Sequence, residues 1–326
     1  MFMNGFTYGN DAIKGSYRTE KAMVSQDKLV ETGIDWVCIA NQIQQESYHS
    51  TDILFDYRTS VTDKDIQFVI RRFHEKGVKV CLKPTINCKD GMWRAMIDFP
   101  DKTEEGVDVY WDKWFESYRS FMCHYAEIAE DEGCEMLCIG SELLGTERKE
   151  KYWRELIEVV RTIYHGPLVY STNHGKEDRV RWFDALDYIG TSAYYPVAKY
   201  PGDSKENMLA EWKQVGEKLK ALSERLQKPV IFMEIGCRSA RGCAKFPWDT
   251  KHKNFPFDEE EQANFYDSCL TALHGQSWFA GVFWQDWSTE IYDTKKVAEQ
   301  DISFNIHMKL AEQVIKGWYK KDLLVD

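Results

Sequence analysis

No stretch of this chain approaches the roughly 20 consecutive apolar residues that a membrane-spanning helix needs, so no membrane partner is expected. The first residues, Met1-Phe2-Met3-Asn4-Gly5-Phe6, contain no basic segment leading into an apolar one. That start implies a cytoplasmic location, or a secreted product already processed. Positive charge is in short supply: 42 Lys and Arg stand against 53 Asp and Glu, a formal charge of −11. This balance argues against nucleic acid or an anionic membrane surface and is compatible with a neutral substrate. No Cys-x-x-Cys pair and no His-x-x-x-His occurs, so no metal and no cofactor is expected. The nine cysteines are odd in number, and Cys38, Cys81 and Cys138 lie inside apolar runs. Buried free thiols are expected rather than disulfides. No Cys stands beside a plausible base in sequence, which leaves thiol catalysis without support. Residues 5–15 lack the Gly-x-Gly-x-x-Gly pattern that an open, doubly wound nucleotide-binding sheet would favour after its first strand. Neither a linker nor an internal repeat divides the chain.

What the chain does have is apolar mass in short, regularly spaced runs. Of its 326 residues, 43% are apolar, enough for a sizeable core. Aromatics make up 14%, with 12 Trp; sugar-binding clefts use such rings as platforms, although large cores also hold them. Strand-like runs fall at residues 4–8, 35–41, 78–85, 136–143, 168–173, 188–195, 229–236 and 281–287. Helical segments follow them at 20–32, 62–76, 111–132, 150–164, 179–186, 206–227, 258–274 and 304–319. Asp residues open some of these helices, and glycines at 33, 77 and 133 close others. Strict alternation implies a parallel sheet with right-handed crossovers. Eight such units in a chain of this length fit an α/β fold, a closed (β/α)8 TIM barrel, as one domain over residues 1–326.

Two of the runs end in a carboxylate. Met136-Leu137-Cys138-Ile139-Gly140-Ser141 leads into Glu142, and Val230-Ile231-Phe232-Met233 leads into Glu234. Charge is costly inside a strand buried on both faces, so each Glu belongs at the C-terminal mouth of the barrel, where functional groups gather. By count they end the fourth and seventh strands, which face each other across that mouth. One Glu at a strand end could merely cap a helix or pair with a Lys. Two of them, each after an apolar run, suit a retaining glycosidase, whose carboxyl groups lie about 5–5.5 Å apart. One would attack the anomeric carbon; the other would protonate the leaving oxygen and later activate water. Polar residues at other strand ends would line the same mouth and bind sugar hydroxyls: Asn41, Lys83, Asn87, Ser141, Asn173, His174 and Tyr195. Of the two Trp on the last strand, Trp284 is taken as a sugar platform; without a bulge, Trp287 would point the opposite way. The loop at 237–257, which follows Glu234, is expected to wall the cleft, with Arg238, Arg241 and Lys245 on hydroxyls and Phe246 and Trp248 on sugar rings. It could instead be a solvated loop whose aromatics cover the neighbouring helix.

Five short motifs recur in this order: Leu-Lys-Pro at 82–84, Gly-Ser-Glu-Leu at 140–143, Ser-Ala-Tyr-Tyr-Pro at 192–196, Glu-Ile-Gly at 234–236 and Phe-Trp-Gln-Asp-Trp at 283–287. Together they resemble glycoside hydrolase family 113, over nearly the whole chain. The resemblance implies a (β/α)8 retaining glycosidase acting on β-1,4-mannosidic bonds of β-mannan, glucomannan or manno-oligosaccharides. It also implies that Glu142 is the acid/base, that Glu234 is the nucleophile, and that a Tyr of the sixth strand bonds the nucleophile. Tyr194 is chosen for that role because it shares the face of Ser192. Two positions depart from the pattern. Ser141 stands where many members of the wider clan have Asn, and Thr85-Ile86-Asn87 follows Leu-Lys-Pro where a His would be typical. Another β-1,4-glycan, xylan or glucan, is the nearest alternative substrate. A non-catalytic carbohydrate-binding barrel is the alternative of another class.

Overall fold

The computed structural model describes residues 2–102, 108–251 and 254–322. Eight parallel strands follow one another in chain order: Met3–Tyr8, Trp36–Gln45, Lys79–Cys88, Met136–Ser141, Leu168–Asn173, Tyr188–Ser192, Val230–Ile235 and Phe279–Trp287. The first strand pairs with the second, Gly5 beside Trp36, and with the eighth, Met3 beside Gly281. That double pairing closes the ring, and the fold is the (β/α)8 TIM barrel expected from the alternation. A two-residue strand, Ile53–Leu54, adds antiparallel to the end of the second.

Side chains alternate along each strand and so build two cores. One fills the barrel itself and includes Trp36, Cys38, Cys81, Met136, Cys138, Met233 and Phe283. The other, with Val37, Ile39, Leu82, Ile139 and Phe232, packs under the helices. Gly5 makes room for Phe283: a Cβ there would stand 2.5 Å from the ring. All nine cysteines are free.

Local sequence sets most helix ends. Helix Asp63–Glu75 begins with a capping box, in which Thr62 and Asp65 each accept from the other's backbone N–H, a feature worth about 1 kcal/mol. Helix Glu259–Leu273 begins where Asp258 accepts from the Glu261 N–H. Helix Val109–Asp131 is followed by Gly133, whose φ of 66° turns the chain into the fourth strand. One crossover differs from expectation: residues 179–186 form no α-helix but parts of two 3₁₀ turns, Glu177–Arg179 and Phe183–Ala185. Between them Trp182 is fully buried, stacked on Trp153 and donating its indole N–H to the Glu147 carbonyl. A single bulky anchor there takes the place of a helix face. The last helix, Leu310–Asp322, also starts later than expected. No helix among the described residues is long and apolar enough to cross a membrane.

Candidate active site

The strand ends open into a cavity of about 650 Å³, lined among others by Trp93, Glu142, Asn173, His174, Tyr194, Glu234, Trp248, Gln285 and Phe304. Glu142 lies just past the fourth strand with φ 56°, a left-handed conformation that costs a non-glycine residue roughly 1–2 kcal/mol. Two hydrogen bonds hold it there: the Glu142 N–H donates to the Ser171 carbonyl at 2.8 Å, and the Leu143 N–H donates to the Tyr170 hydroxyl at 3.1 Å. Its side chain is 10% exposed. Oε2 accepts from the Trp93 indole at 3.2 Å and from the Arg94 guanidinium at 3.0 Å. Glu234, 13% exposed at the side chain, accepts from the Tyr194 hydroxyl at 2.7 Å on Oε1 and from Lys83 Nζ at 3.0 Å on Oε2.

These surroundings drive the two carboxyls apart. Burial pushes Glu142 above the ordinary carboxylate range; Arg94 opposes this, and the charge of Glu234 reinforces it. Burial penalises ionised Glu234 as well, but Lys83, Arg94 and the Tyr194 hydrogen bond overcome it and hold that carboxyl low. One protonated and one ionised carboxyl are thereby favoured in the same cavity. The nearby Asp286 carboxyl is pushed up to about 7 by burial, with Asp11 and Glu234 adding their repulsion.

Lys83, expected to bind sugar, is 2% exposed and serves as the buried ion-pair partner of Glu234. Because Glu234 is held low, the stability it lends is present above the ordinary carboxylate pKa and is lost as pH falls through the folded value. Lys83→Met should therefore raise the Glu234 pKa and move the acid limb of kcat/KM to higher pH by about one unit or more. It should also cost about 3–5 kcal/mol of stability near neutral pH, where the stranded carboxylate is ionised. Titration of kcat/KM and urea unfolding check both; an unmoved acid limb would separate Lys83 from Glu234 ionisation.

Several sequence expectations need correction. Trp284 is no sugar platform: it is 0% exposed and stacks on Tyr266 at 4.1 Å. Trp287 is equally buried and donates its indole N–H to Ser25. Both pack against helices because the pairing of the eighth strand with the first gains one residue between them, which breaks simple alternation. Asn41 is buried with Ile39 and Ile43 on the helix-facing side, beside Tyr125; the inward position belongs to Gln42. The Tyr195 hydroxyl donates to Glu177 and not into the cavity, while its neighbour Tyr194 reaches Glu234. Asn87 bonds Gln42 at 2.5 Å and Arg94 at 2.8 Å, so it orders Arg94 and does not line the cavity. Ser141 is buried and is not part of the cavity wall; its Oγ has no hydrogen-bond partner among the described residues.

Asn173 and His174 do line the cavity. The Asn173 Oδ1 is buried without a hydrogen-bond partner among the described residues, and burial keeps the His174 pKa below its ordinary value. His174 stacks on Trp248, with ring centres 5.6 Å apart and planes 21° apart. From the loop at 237–257, Trp248, Thr250 and Lys251 reach the cavity. Arg238 instead binds Asp249, Lys245 lies over the Phe246 ring, and Arg241 approaches Asp258 at 3.8 Å. Residues 252 and 253 of that loop lie outside the described ones. Sequence reading missed Trp93, Arg94, Gln285 and Phe304. For the first two, position in the loop after a barrel strand was the available signal; Gln285 sits beside the wrongly favoured Trp284; Phe304 had none. No group of three or more metal-ligating side chains occurs among the described residues.

A closed (β/α)8 barrel whose mouth joins two largely buried carboxyls, one displaced upward and one downward, has the architecture of a glycoside hydrolase. The family model described as Glycoside Hydrolase Family 113 matches residues 6–309, and the chain belongs to that family. A GH113 β-mannanase from Alicyclobacillus acidocaldarius, solved in complex with ManMIm, is 36% identical, with 98% of this chain and 97% of that one covered and a TM-score of 0.89. A second GH113 β-1,4-mannanase complex is also 36% identical, covering 98% and 99% of the two chains with a TM-score of 0.89. A Faecalibacterium prausnitzii β-glucuronidase, 13% identical, covers 98% of this chain but 49% of its own length with a TM-score of 0.64, and shares the fold alone. A search of the curated proteins found no match.

Proposed function

We propose that this glycoside hydrolase cleaves β-1,4-mannosidic bonds in β-mannan, glucomannan or manno-oligosaccharides by double displacement, with Glu234 as nucleophile and Glu142 as acid/base. The observation that carries the reading is the pair of carboxyls in one cavity, one held ionised by Lys83, Arg94 and Tyr194 and the other favoured in its protonated form. The substrate class rests on the β-mannanases at 36% identity. In the first step Glu234 bonds C1 as Glu142 gives its proton to the leaving oxygen. In the second, water attacks C1 and gives a proton back to Glu142, and the glycosyl ester breaks. Tyr194 and Lys83 keep the nucleophile ionised and oriented, and the Asn173 Oδ1, with no partner among the described residues, is an acceptor for a sugar hydroxyl.

The test is product release from mannan, glucomannan, xylan and cellulose oligosaccharides, with the first-formed anomer read by NMR. Mannosidic cleavage with the β-anomer first supports the reading. Preference for xylan or glucan overturns the substrate, and binding without hydrolysis of any of them overturns the enzyme assignment. Trp248, 48% exposed at the cavity, is an outlying ring platform. Trp248→Ala should raise KM for long manno-oligosaccharides about 10-fold, and for mannobiose or mannotriose far less. Equal effects on both lengths, or none, would remove it from an outlying subsite.

A further inference from the structure

Arg94 stands just after Trp93 in the loop that follows the third strand, on a short 3₁₀ turn, Arg94–Met96. Its guanidinium is only 14% exposed and is held at two points. Nη1 donates to Asn87 Oδ1 at 2.8 Å, and Asn87 Nδ2 donates in turn to Gln42 Oε1 at 2.5 Å. Nη2 donates to Glu142 Oε2 at 3.0 Å. The chain Gln42–Asn87–Arg94–Glu142 thus runs from the second and third barrel strands to the carboxyl on the fourth. Trp93 donates to that same Oε2, so both contacts to Glu142 fall on one oxygen.

We infer that Arg94 is a positioning residue that pins Oε2 of Glu142, leaves Oε1 to give and take the proton, and serves the second chemical step more than the first. The inference rests on the acid/base and nucleophile roles proposed above. In the first step Oε1–H passes its proton to the leaving oxygen while the C1–O bond breaks and the ester to Glu234 forms. A fixed cation beside Glu142 works against the protonated carboxyl this step needs. Burial and the negative charge of Glu234 outweigh it in the free enzyme. Once Glu234 is esterified, its charge is gone, and Lys83 and Arg94 remain as the cations near Glu142. The carboxylate form is then favoured, as the second step requires: Oε1 takes a proton from water, the hydroxyl goes to C1, and the ester breaks. Among the described residues, the charged groups that act most on Glu142 are Arg94 from the loop after the third strand, Lys83 from the third strand and Glu234 from the seventh; Tyr194, after the sixth strand, is a titratable neighbour, and His174 and Lys251 line the same cavity.

The experiment compares wild type with Arg94→Met, Arg94→Gln and Arg94→Lys on 2,4-dinitrophenyl β-mannobioside, whose leaving group departs without protonation, and on mannotetraose. For Arg94→Met the aryl substrate should show kcat and KM falling together by about 10- to 100-fold, the range for one lost charge-assisted hydrogen bond, with kcat/KM nearly unchanged and a burst of dinitrophenol. On mannotetraose the basic limb of kcat/KM should move to higher pH by about one unit, because Glu142 then holds its proton longer. Arg94→Lys, which restores the charge, should return the limb towards wild type while keeping part of the kcat loss, since one ammonium replaces a two-point fork. Arg94→Gln should reproduce the limb shift if the Met variant does not fold. Asp286→Asn identifies any share of the limb that belongs to that carboxyl. Equal losses in kcat and kcat/KM, no burst and an unmoved basic limb would make Arg94 merely structural and overturn the inference, with the function intact. Lack of wild-type turnover of both substrates would overturn the proposed function and this inference with it.

Discussion

Glu234→Ala is expected to lower turnover of mannan by at least about four orders of magnitude, since no covalent intermediate can form without the nucleophile. That loss corresponds to roughly 5–6 kcal/mol of transition-state stabilisation. The space left by the carboxylate, beside the Lys83 ammonium and the Tyr194 hydroxyl, suits a small anion. Azide at molar concentration should therefore attack C1 from that face of an activated β-mannoside and restore turnover. The product should be the inverted α-mannosyl azide, identified by NMR. A β-azide from this variant would place the nucleophile elsewhere.

Glu142→Ala should separate substrates by their leaving groups. Mannan and manno-oligosaccharides, whose departing hydroxyl needs a proton, should lose about 10²- to 10⁴-fold in kcat/KM. A dinitrophenyl mannoside should still form the glycosyl-enzyme at close to the wild-type rate, because the phenolate leaves unaided. Hydrolysis of that intermediate then lacks its base, so it accumulates, and azide should speed its breakdown with retained β configuration. Retention from the Glu234 variant and inversion from the Glu142 variant would mean that the two roles are exchanged.

The site was legible where a local rule governs it. Glu142 and Glu234 stood out because an unpaired charge is costly within a doubly buried strand, so a place near the strand end follows from the apolar residues before it. Both line the cavity, as do Tyr194, Asn173, His174 and Trp248. Three of the failures share a cause. Trp284, Asn41 and Tyr195 were each placed on the wrong face, and along a strand the adjacent residue or one added residue exchanges the two faces. Gln42 and Tyr194 point inward beside Asn41 and Tyr195, which do not. The Trp-rich motif at 283–287 drew attention to rings that the core uses and away from Gln285, which lines the cavity.

The eight strands, seven of the helices that follow them, the barrel they close and the two carboxyls at its C-terminal mouth could be read from the chain alone, because hydrophobic periodicity, helix caps and the cost of burying charge act over a few neighbouring residues. The partners of those carboxyls could not. Lys83 meets Glu234 across 151 positions, and Arg94 meets Glu142 across 48. Neither pairing leaves a local trace, since a Lys in a strand or an Arg in a loop looks the same whether it faces sugar, solvent or a buried carboxylate. Barrel closure brings those strand ends around one cavity, and the resulting burial and charge contacts hold one Glu carboxyl low and the other high.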